Sequence, residues 1–377
     1  MNKKLVHFNK PSYSGNEQQY ISQAISSNKI SGGGSFGEKC QDWFEKKLGC
    51  KRALLTPSCT AALEMAAMLI DIQPGDEIIM PSYTFVSSAN AFVLRGGIPV
   101  FVDIRKDTLN IDETLIEQAI TSKTKAILPV HYAGVACEMD TILEIAEKHN
   151  LFVIEDAAQG IMSKYKGKSL GTIGDLGCLS FHETKNIISG EGGALIINNT
   201  NLINRAEIIR EKGTDRVNFF QGKVDKYSWQ DIGSSYLPGE TTAAFLYAQL
   251  EQATYITECR LKIWQNYYNF FSSHEKMGSI VIPQIPECCQ ANGHLFYLLM
   301  PTRSDREDFI NFMDSQDINC IFHYVPLHNS SAGKKYGRLG SSMEITDSIS
   351  SRLVRLPFWI GLDTSYVTKA FSQWQIE

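Results

Sequence analysis

Four short stretches of this chain hold residues whose types and spacing can do chemistry together. Lys185 lies in Leu179-Ser180-Phe181-His182-Glu183-Thr184-Lys185-Asn186, followed by Gly190-Glu191-Gly192-Gly193-Ala194. A lysine that joins covalently to a carbonyl must reach a confined site with its amine deprotonated, and glycines let backbone approach closely. The stretch Val153-Ile154-Glu155-Asp156-Ala157-Ala158-Gln159 is an apolar run ending in two acids. A buried carboxylate is costly without a cationic partner, and a protonated ring nitrogen would supply one. Gln159, three residues on, suits a phenolic oxygen of the same ring. In Thr56-Pro57-Ser58-Cys59-Thr60-Ala61-Ala62-Leu63, small residues run into a helix start. Free N–H groups and the helix dipole there hold an anion such as a phosphate. Pro81-Ser82-Tyr83-Thr84-Phe85 places aromatics where one can stack on a planar ring. Taken singly, each stretch has an ordinary explanation: helix capping, core packing, a solvated or capping acid, a surface lysine.

Each stretch follows a run that reads as a strand. Short apolar runs at 52–56, 77–80, 99–102, 125–130 and 151–154 alternate with helical stretches at 60–70, 86–94, 113–120 and 141–149. The strands are almost wholly apolar, which implies burial on both faces. The βα rhythm implies an α/β fold with a mostly parallel sheet between helices. Strands at 177–181 and 193–197 have only a short connection between them, and a helix follows at 202–212. A helical stretch from 241 to about 271, with no Pro or Gly, is expected as one long helix leaving the sheet. Beyond it lies a smaller α+β segment, with strands near 296–300 and 320–323 and a helix near 306–315. The expected division is a large domain at 1–250, including the N-terminal segment, and a small C-terminal domain at 251–377.

Composition narrows the classes. At 377 residues, with 43% hydrophobic and 20% charged residues, the chain is neither disordered nor fibrous. A net charge of −5 gives no basic footprint for nucleic acid. No apolar run approaches a membrane span, and the polar, basic first ten residues lack a signal's apolar segment. Nine scattered cysteines without a C-x-x-C pair suit free thiols in a reducing cytosol, not disulfides or zinc. Three motifs are set aside. Gly32-Gly33-Gly34-Ser35-Phe36-Gly37 matches G-x-G-x-x-G, but no strand precedes it, so a flexible loop is expected. His182-Glu183-Thr184-Lys185-Asn186 has Asn where a zinc site needs its second His, so no metal is expected. The sequons at 198–200 and 329–331 mean nothing in a cytoplasmic chain.

Jointly, the order phosphate loop, aromatic, Asp, Ser, Lys is that of a pyridoxal-phosphate (PLP) enzyme. The chain resembles fold-type I PLP enzymes of the nucleotide-sugar aminotransferase family named after DegT and StrS. The resemblance rests on the stretches above, on His131-Tyr132-Ala133-Gly134, on Asp231-Ile232-Gly233-Ser234-Ser235-Tyr236 and on His323-Tyr324-Val325-Pro326-Leu327-His328. It covers essentially the whole chain. It implies a large domain with a mostly parallel seven-stranded sheet and a smaller C-terminal α+β domain. By motif, Lys185 resembles the lysine that carries PLP. Asp156 would pair with the pyridine N–H, Gln159 would contact the ring hydroxyl, and Phe85 would stack on the ring. Cys59 and Thr60 would hold the phosphate through backbone N–H groups, with Ser180 adding a hydroxyl. Many family members place an Asn from the neighbouring subunit where this chain has Ser234-Ser235, and Ser235 is the expected counterpart in a homodimer with composite active sites.

Within the family, Thr-Pro-Ser-Cys-Thr, Ser-Phe-His-Glu-Thr-Lys-Asn and Asp-Ile-Gly-Ser-Ser-Tyr are typical of a subgroup in enterobacterial common antigen synthesis. Its members move an amino group from L-glutamate to C4 of dTDP-4-keto-6-deoxy-D-glucose, giving dTDP-4-amino-4,6-dideoxy-D-galactose. The gluco epimer and a 3-amino sugar are the alternative products. His323, Tyr324 and His328 are candidates to line the sugar pocket, with core or surface roles equally open. A PLP-dependent sugar dehydratase of this fold would carry His where Lys185 stands. A PLP-sensing regulator would add a DNA-binding segment, and this chain has no basic patch.

Overall fold

Each apolar run of the first half becomes a strand of one central sheet. In chain order these are β1 (Arg52–Thr56), β2 (Glu77–Pro81), β3 (Ile98–Val102), β4 (Thr124–Ile127), β5 (Phe152–Asp156), β6 (Leu176–Ser180) and β7 (Gly193–Ile197). This is a computed structural model; it describes residues 5–220, 222 and 224–374, so the first four residues of the polar N-terminal stretch lie outside the described residues. The sheet runs β1-β7-β6-β5-β4-β2-β3. Every neighbouring pair is parallel except those of β7, which is antiparallel to β1 and to β6. A two-residue strand, Arg338–Leu339, adds an eighth member beside β3.

The all-apolar character of the strands has a direct cause. Successive residues face opposite sides of a sheet, and here both sides are covered. Ala53 and Leu55 enter one core cluster and Leu54 the other. Ile79 divides from Ile78 and Met80 in the same way, and Ala194 and Ile196 divide from Leu195 and Ile197. Helices on each face supply the covering residues, among them Phe44, Ile142 and Leu246 on one side and Leu63, Met65 and Phe92 on the other.

Three expectations need correction. The stretch from 241 is two helices, Glu240–Glu251 and Ala253–Lys276, separated at Gln252 (φ −101°, ψ 11°). Neither Pro nor Gly causes the break. The first helix buries Ala243, Leu246 and Leu250 in the large core, whereas Ile263, Tyr267 and Phe271 of the second belong to a separate C-terminal core. The second helix still packs Ala253 and Ile256 in the large core before it enters the C-terminal one. The expected strand at 320–323 reduces to a single pairing of Ile321 with Arg355, because the chain turns at Tyr324, whose φ is +51°. The run at 32–37 is not a flexible loop. It opens the helix Ser35–Leu48, and the Glu240 carboxylate accepts the N–H groups of Gly34, Phe36 and Gly37 at 2.9, 2.9 and 3.1 Å. A Cβ on Gly34 would lie 2.6 Å from that carboxyl carbon, so a larger residue there would push the carboxylate off these donors. The chain's own carboxylate fills the anion site that the motif offers.

The C-terminal core gathers Phe296, Phe309, Val354 and Phe371 around the second helix. Its small sheet pairs Tyr297–Leu299 with Leu353–Arg355 antiparallel. Val6 joins this core from the other end of the chain, its N–H donating to Asp317 O.

Candidate active site

A cavity of about 790 Å³ opens where β1, β2, β5 and β6 end. In open α/β sheets the carboxyl ends of the strands form such crevices. Cys59, Thr60, Phe85, Asp156, Gln159, Ser180, Lys185, His323 and Tyr324 all line it. Two expected residues do not.

At the end of β1, Ser58 caps the helix Cys59–Leu69, its hydroxyl accepting the N–H of Ala61 at 3.1 Å. The N–H groups of Cys59 and Thr60 meet no acceptor among the described residues. Behind them stands Gly193, where a Cβ would lie 2.4 Å from both Cys59 N and Ser58 C. The glycine therefore lets β7 press against the helix start and hold its free donors toward the cavity. Thr60 Oγ1 lies 2.7 Å from Ser87 Oγ, and Ser180 completes this wall. The arrangement is a cradle for a phosphate.

The two acids ending β5 face opposite ways, as strand residues must. Glu155 is fully buried and spent: it accepts the N–H groups of Gly171, Ile173 and Gly174 and contacts His131 Nε2 at 2.9 Å. His131 Nδ1 accepts the Cys137 N–H, so Nε2 carries the proton toward Glu155. Asp156 faces the cavity. Ser88 Oγ donates to its Oδ2 at 2.7 Å and Ala158 N to its Oδ1 at 3.1 Å. Thr84 Oγ1 backs Ser88 at 2.8 Å. No lysine, arginine or histidine pairs with Asp156 among the described residues. A buried carboxylate held only by neutral donors fits a cationic ring N–H.

Lys185 projects into the same cavity from the loop after β6. Burial, the largest effect, holds its amine below the ordinary lysine range, opposed by Cys59 and Asp156 and assisted by Arg355. A lysine so placed gives up its proton more readily than one in water. Phe85, at the start of the helix Val86–Val93, is 58% exposed, so the described residues leave more than half of it open. Gln159 is anchored: its Oε1 accepts Ala133 N at 2.7 Å and its Nε2 donates to Tyr324 OH at 3.0 Å. The His323 ring stacks on Tyr324 with centroids 3.7 Å apart, and its Nδ1 lies 2.7 Å from Tyr132 OH. Burial, then the charges of Arg355, His294 and Lys185, keep His323 well below the usual imidazole range.

His328 does not line the cavity. Its ring joins Ser82 Oγ, 2.7 Å away, to Asp347, 3.2 Å away, and so ties its segment to the end of β2. Ser235 lies in a second cavity of about 760 Å³, walled by Gly32, Arg52 and Arg210. Sequence reasoning missed Ser88, Arg260, His294 and Arg355. The Thr84–Ser88 spacing, one helical turn, was a readable sign of the relay to Asp156. The other three reach the cavity only through tertiary packing. His294 Nδ1 lies 2.8 Å from Asn186 Oδ1, and burial holds His294 well below the usual range.

The sequence profile of the DegT/DnrJ/EryC1/StrS aminotransferase family matches residues 11–373. The chain is 38% identical to the GDP-perosamine synthase of Caulobacter vibrioides, across 84% of each chain. It is 32% identical to the GDP-perosamine synthase of Escherichia coli O157:H7, across 97% of this chain and 96% of the other. The PLP form of Spr1654 from Streptococcus pneumoniae has the same fold, with a TM-score of 0.89, 24% identity and coverage of 98% of this chain and 97% of the other.

Proposed function

The chain belongs to the DegT/DnrJ/EryC1/StrS aminotransferase family, whose cofactor is pyridoxal phosphate, and from that premise we propose that it moves an amino group from L-glutamate to C4 of a nucleotide-linked 4-keto-6-deoxyhexose. The observation that carries this reading is the convergence in one cavity of Lys185, the free N–H groups of Cys59 and Thr60, and an Asp156 without a counter-charge. These residues fit the cofactor. When bound, it supplies the electron sink that lets a C–H bond beside nitrogen break.

In this reading Cys59, Thr60 and Ser180 bind the phosphate, and Phe85 covers one ring face. Asp156 keeps the ring nitrogen protonated, its carboxylate oriented by Ser88. Gln159 Nε2 keeps a second hydrogen for the ring hydroxyl after bonding Tyr324. Lys185 holds the cofactor, and its freed amine takes the proton from the donor's α-carbon. In the return half, Lys185 delivers a proton to sugar C4, and the sugar face turned toward its Nζ fixes the configuration there. His323 and Tyr324 form the aromatic wall beside the sugar. Ser235, remote from its own chain's Lys185 cavity, would serve the phosphate of a partner subunit in a homodimer.

The first reading of the sugar is dTDP-4-keto-6-deoxy-D-glucose, with dTDP-4-amino-4,6-dideoxy-D-galactose as product, supported by the three subgroup motifs. The gluco epimer and a 3-amino sugar remain the alternative products. The GDP-perosamine synthase relatives favour a second reading, a GDP-linked keto sugar. No helix among the described residues is long and apolar enough to cross a membrane, in keeping with a nucleotide-sugar enzyme that works in the cytoplasm. Two experiments test the proposal. Borohydride reduction of the holoenzyme should fix the cofactor on the peptide containing Lys185, and label on another lysine refutes the assignment. Incubation with glutamate and each 4-keto-6-deoxyhexose, dTDP- or GDP-linked, followed by NMR of the product, reads both the nucleotide preference and the configuration at C4. Failure to aminate either sugar overturns the reading.

A further inference from the structure

Two arginines of the C-terminal half line the cavity, Arg260 and Arg355, and they differ in one respect. Arg260 is spent on the fold. Its Nε donates to Gly293 O at 3.0 Å and one terminal nitrogen to His294 O at 2.6 Å, and its guanidinium stacks on Phe358. The Arg355 side chain makes no hydrogen bond among the described residues. Its backbone N–H donates to Ile321 O, which fixes the residue at the end of the strand Leu353–Arg355. Its guanidinium lies over the Phe8 ring at 4.8 Å. Its Nε is buried without a hydrogen-bond partner, and no carboxylate pairs with it among the described residues. A buried N–H donor left unmet is costly unless an anion arrives to meet it.

We propose that Arg355 is the receptor for a carboxylate of the amino donor. This rests on the reading above, in which an amino acid is the first of two substrates. A guanidinium presents parallel N–H groups that match a carboxylate, and an anion that comes and goes suits an arginine with no fixed partner. Two anions are on offer in such a reaction, the donor's carboxylate and the sugar's diphosphate. The α-carboxylate is one bond from the carbon whose proton Lys185 takes. The diphosphate is separated from C4 by the hexose ring and the anomeric oxygen. The cation for the carboxylate must therefore lie close enough to act on Lys185, and Arg355 shares the cavity with it. The positive charge of Arg355 also favours the neutral amine of Lys185, and it acts on His323 and His294 as well. Of the two arginines that line the cavity, Arg260 is spent on the fold, and Asp156 is accounted for by the ring.

The test uses holoenzyme of the wild type, Arg355→Lys and Arg355→Met, with cofactor content and melting temperature checked first. Glutarate, a dicarboxylate without an amine, is titrated by calorimetry. The reaction with L-glutamate is followed in single turnover by loss of the cofactor's visible absorbance. Hydrogen bonds to a charged group contribute enough that Arg355→Met should weaken glutamate and glutarate about 10- to 150-fold. Arg355→Lys should fall between, because it keeps the charge and loses the fork. A carboxylate-free amine should lose far less, so the preference for glutamate over it collapses. Glutamate and glutarate constants within about threefold of wild type in Arg355→Met overturn the proposal, that being too small for a charge-assisted contact. A loss that falls on the KM of the nucleotide sugar rather than on glutamate also overturns it, and reassigns Arg355 to the diphosphate. Should the wild type fail to react with glutamate, the aminotransferase reading fails, while the glutarate titration still decides for or against Arg355.

Discussion

Replacing Asp156 by Asn separates charge from architecture at the centre of the site. The side chains are isosteric. In the native site Asp156 accepts from Ser88 Oγ at 2.7 Å and from Ala158 N at 3.1 Å. An asparagine can keep its oxygen on the Ala158 N–H and turn its NH2 to Ser88. The Ser88 hydroxyl then rotates to donate to Thr84 Oγ1, 2.8 Å away. Both groups remain paired, so the change should cost on the order of 1 kcal/mol, the net value of one hydrogen bond. In a chain of this size that lowers the melting temperature by only about 2 °C or less. What is lost is the negative charge that, in the proposed role, keeps a ring nitrogen protonated. Removing a single pre-organised electrostatic partner typically costs about 10²- to 10³-fold in rate. Asp156→Asn should therefore bind PLP, melt close to wild type and react with glutamate at least ~10²-fold more slowly in single turnover. Near-normal turnover in a folded, PLP-loaded variant would mean the ring nitrogen lies elsewhere, and the assignment of β5 would fail with it.

Phe85→Ala should weaken PLP retention by roughly fivefold, as loss of about 1 kcal/mol of stacking implies. With its ring 58% exposed, the same change should alter the melting temperature of the apoprotein little, and unfolding with unchanged PLP affinity would make Phe85 a core residue. Both His294 and His323 are held neutral by burial, with values well below the ordinary 6.5. The unfolded chain binds protons that the folded chain refuses, so their contribution to stability is intact above about pH 6.5 and is lost progressively below it. Melting temperature against pH should fall more steeply below 6.5 in the wild type than in a His294→Gln/His323→Gln double variant, and parallel curves contradict the argument. Mixing inactive Lys185→Ala protein with an inactive variant of the Ser234-Ser235 loop should restore part of the activity by subunit exchange. No recovery despite demonstrated exchange would rule out a shared site.

The strands were legible because each is buried on both faces and so carries an unbroken apolar signature. β1 and β7 have the bounds that the sequence pattern predicts, and the other five shift by a residue or a few at one end or both. The groups around the cavity were legible for a related reason: Ser58 to Thr60, Phe85, Asp156 and Lys185 each follow a strand within a few residues. What escaped lies where a residue's role is decided far away in the chain. Gln252 breaks a helix that its neighbours would continue, and the chain passes from the large core to the C-terminal one beyond it. Glu240 turns a glycine-rich run 206 positions upstream into a fixed helix start. Arg355 has no local signature at all, and its meaning comes from the residues that fail to pair with it. His328 sits in the same short motif as His323 and Tyr324, yet the turn after Tyr324 carries it to Ser82 and Asp347.

The contact between Phe8 and Arg355 closes the wall of this site with two residues very far apart in sequence. During synthesis the cradle, Asp156, Lys185 and Gly193 all emerge within the first half or so of the polypeptide. Arg355 leaves the ribosome long after them, and Phe8 must wait for it. Pairings this distant in sequence form slowly, since a long loop has to close first. A nascent chain therefore can assemble the cavity wall of Cys59, Asp156 and Lys185 well before the wall that holds Arg355. On the proposed reading, Lys185 would then be shielded by the cofactor before any amino acid could find a complete place to bind.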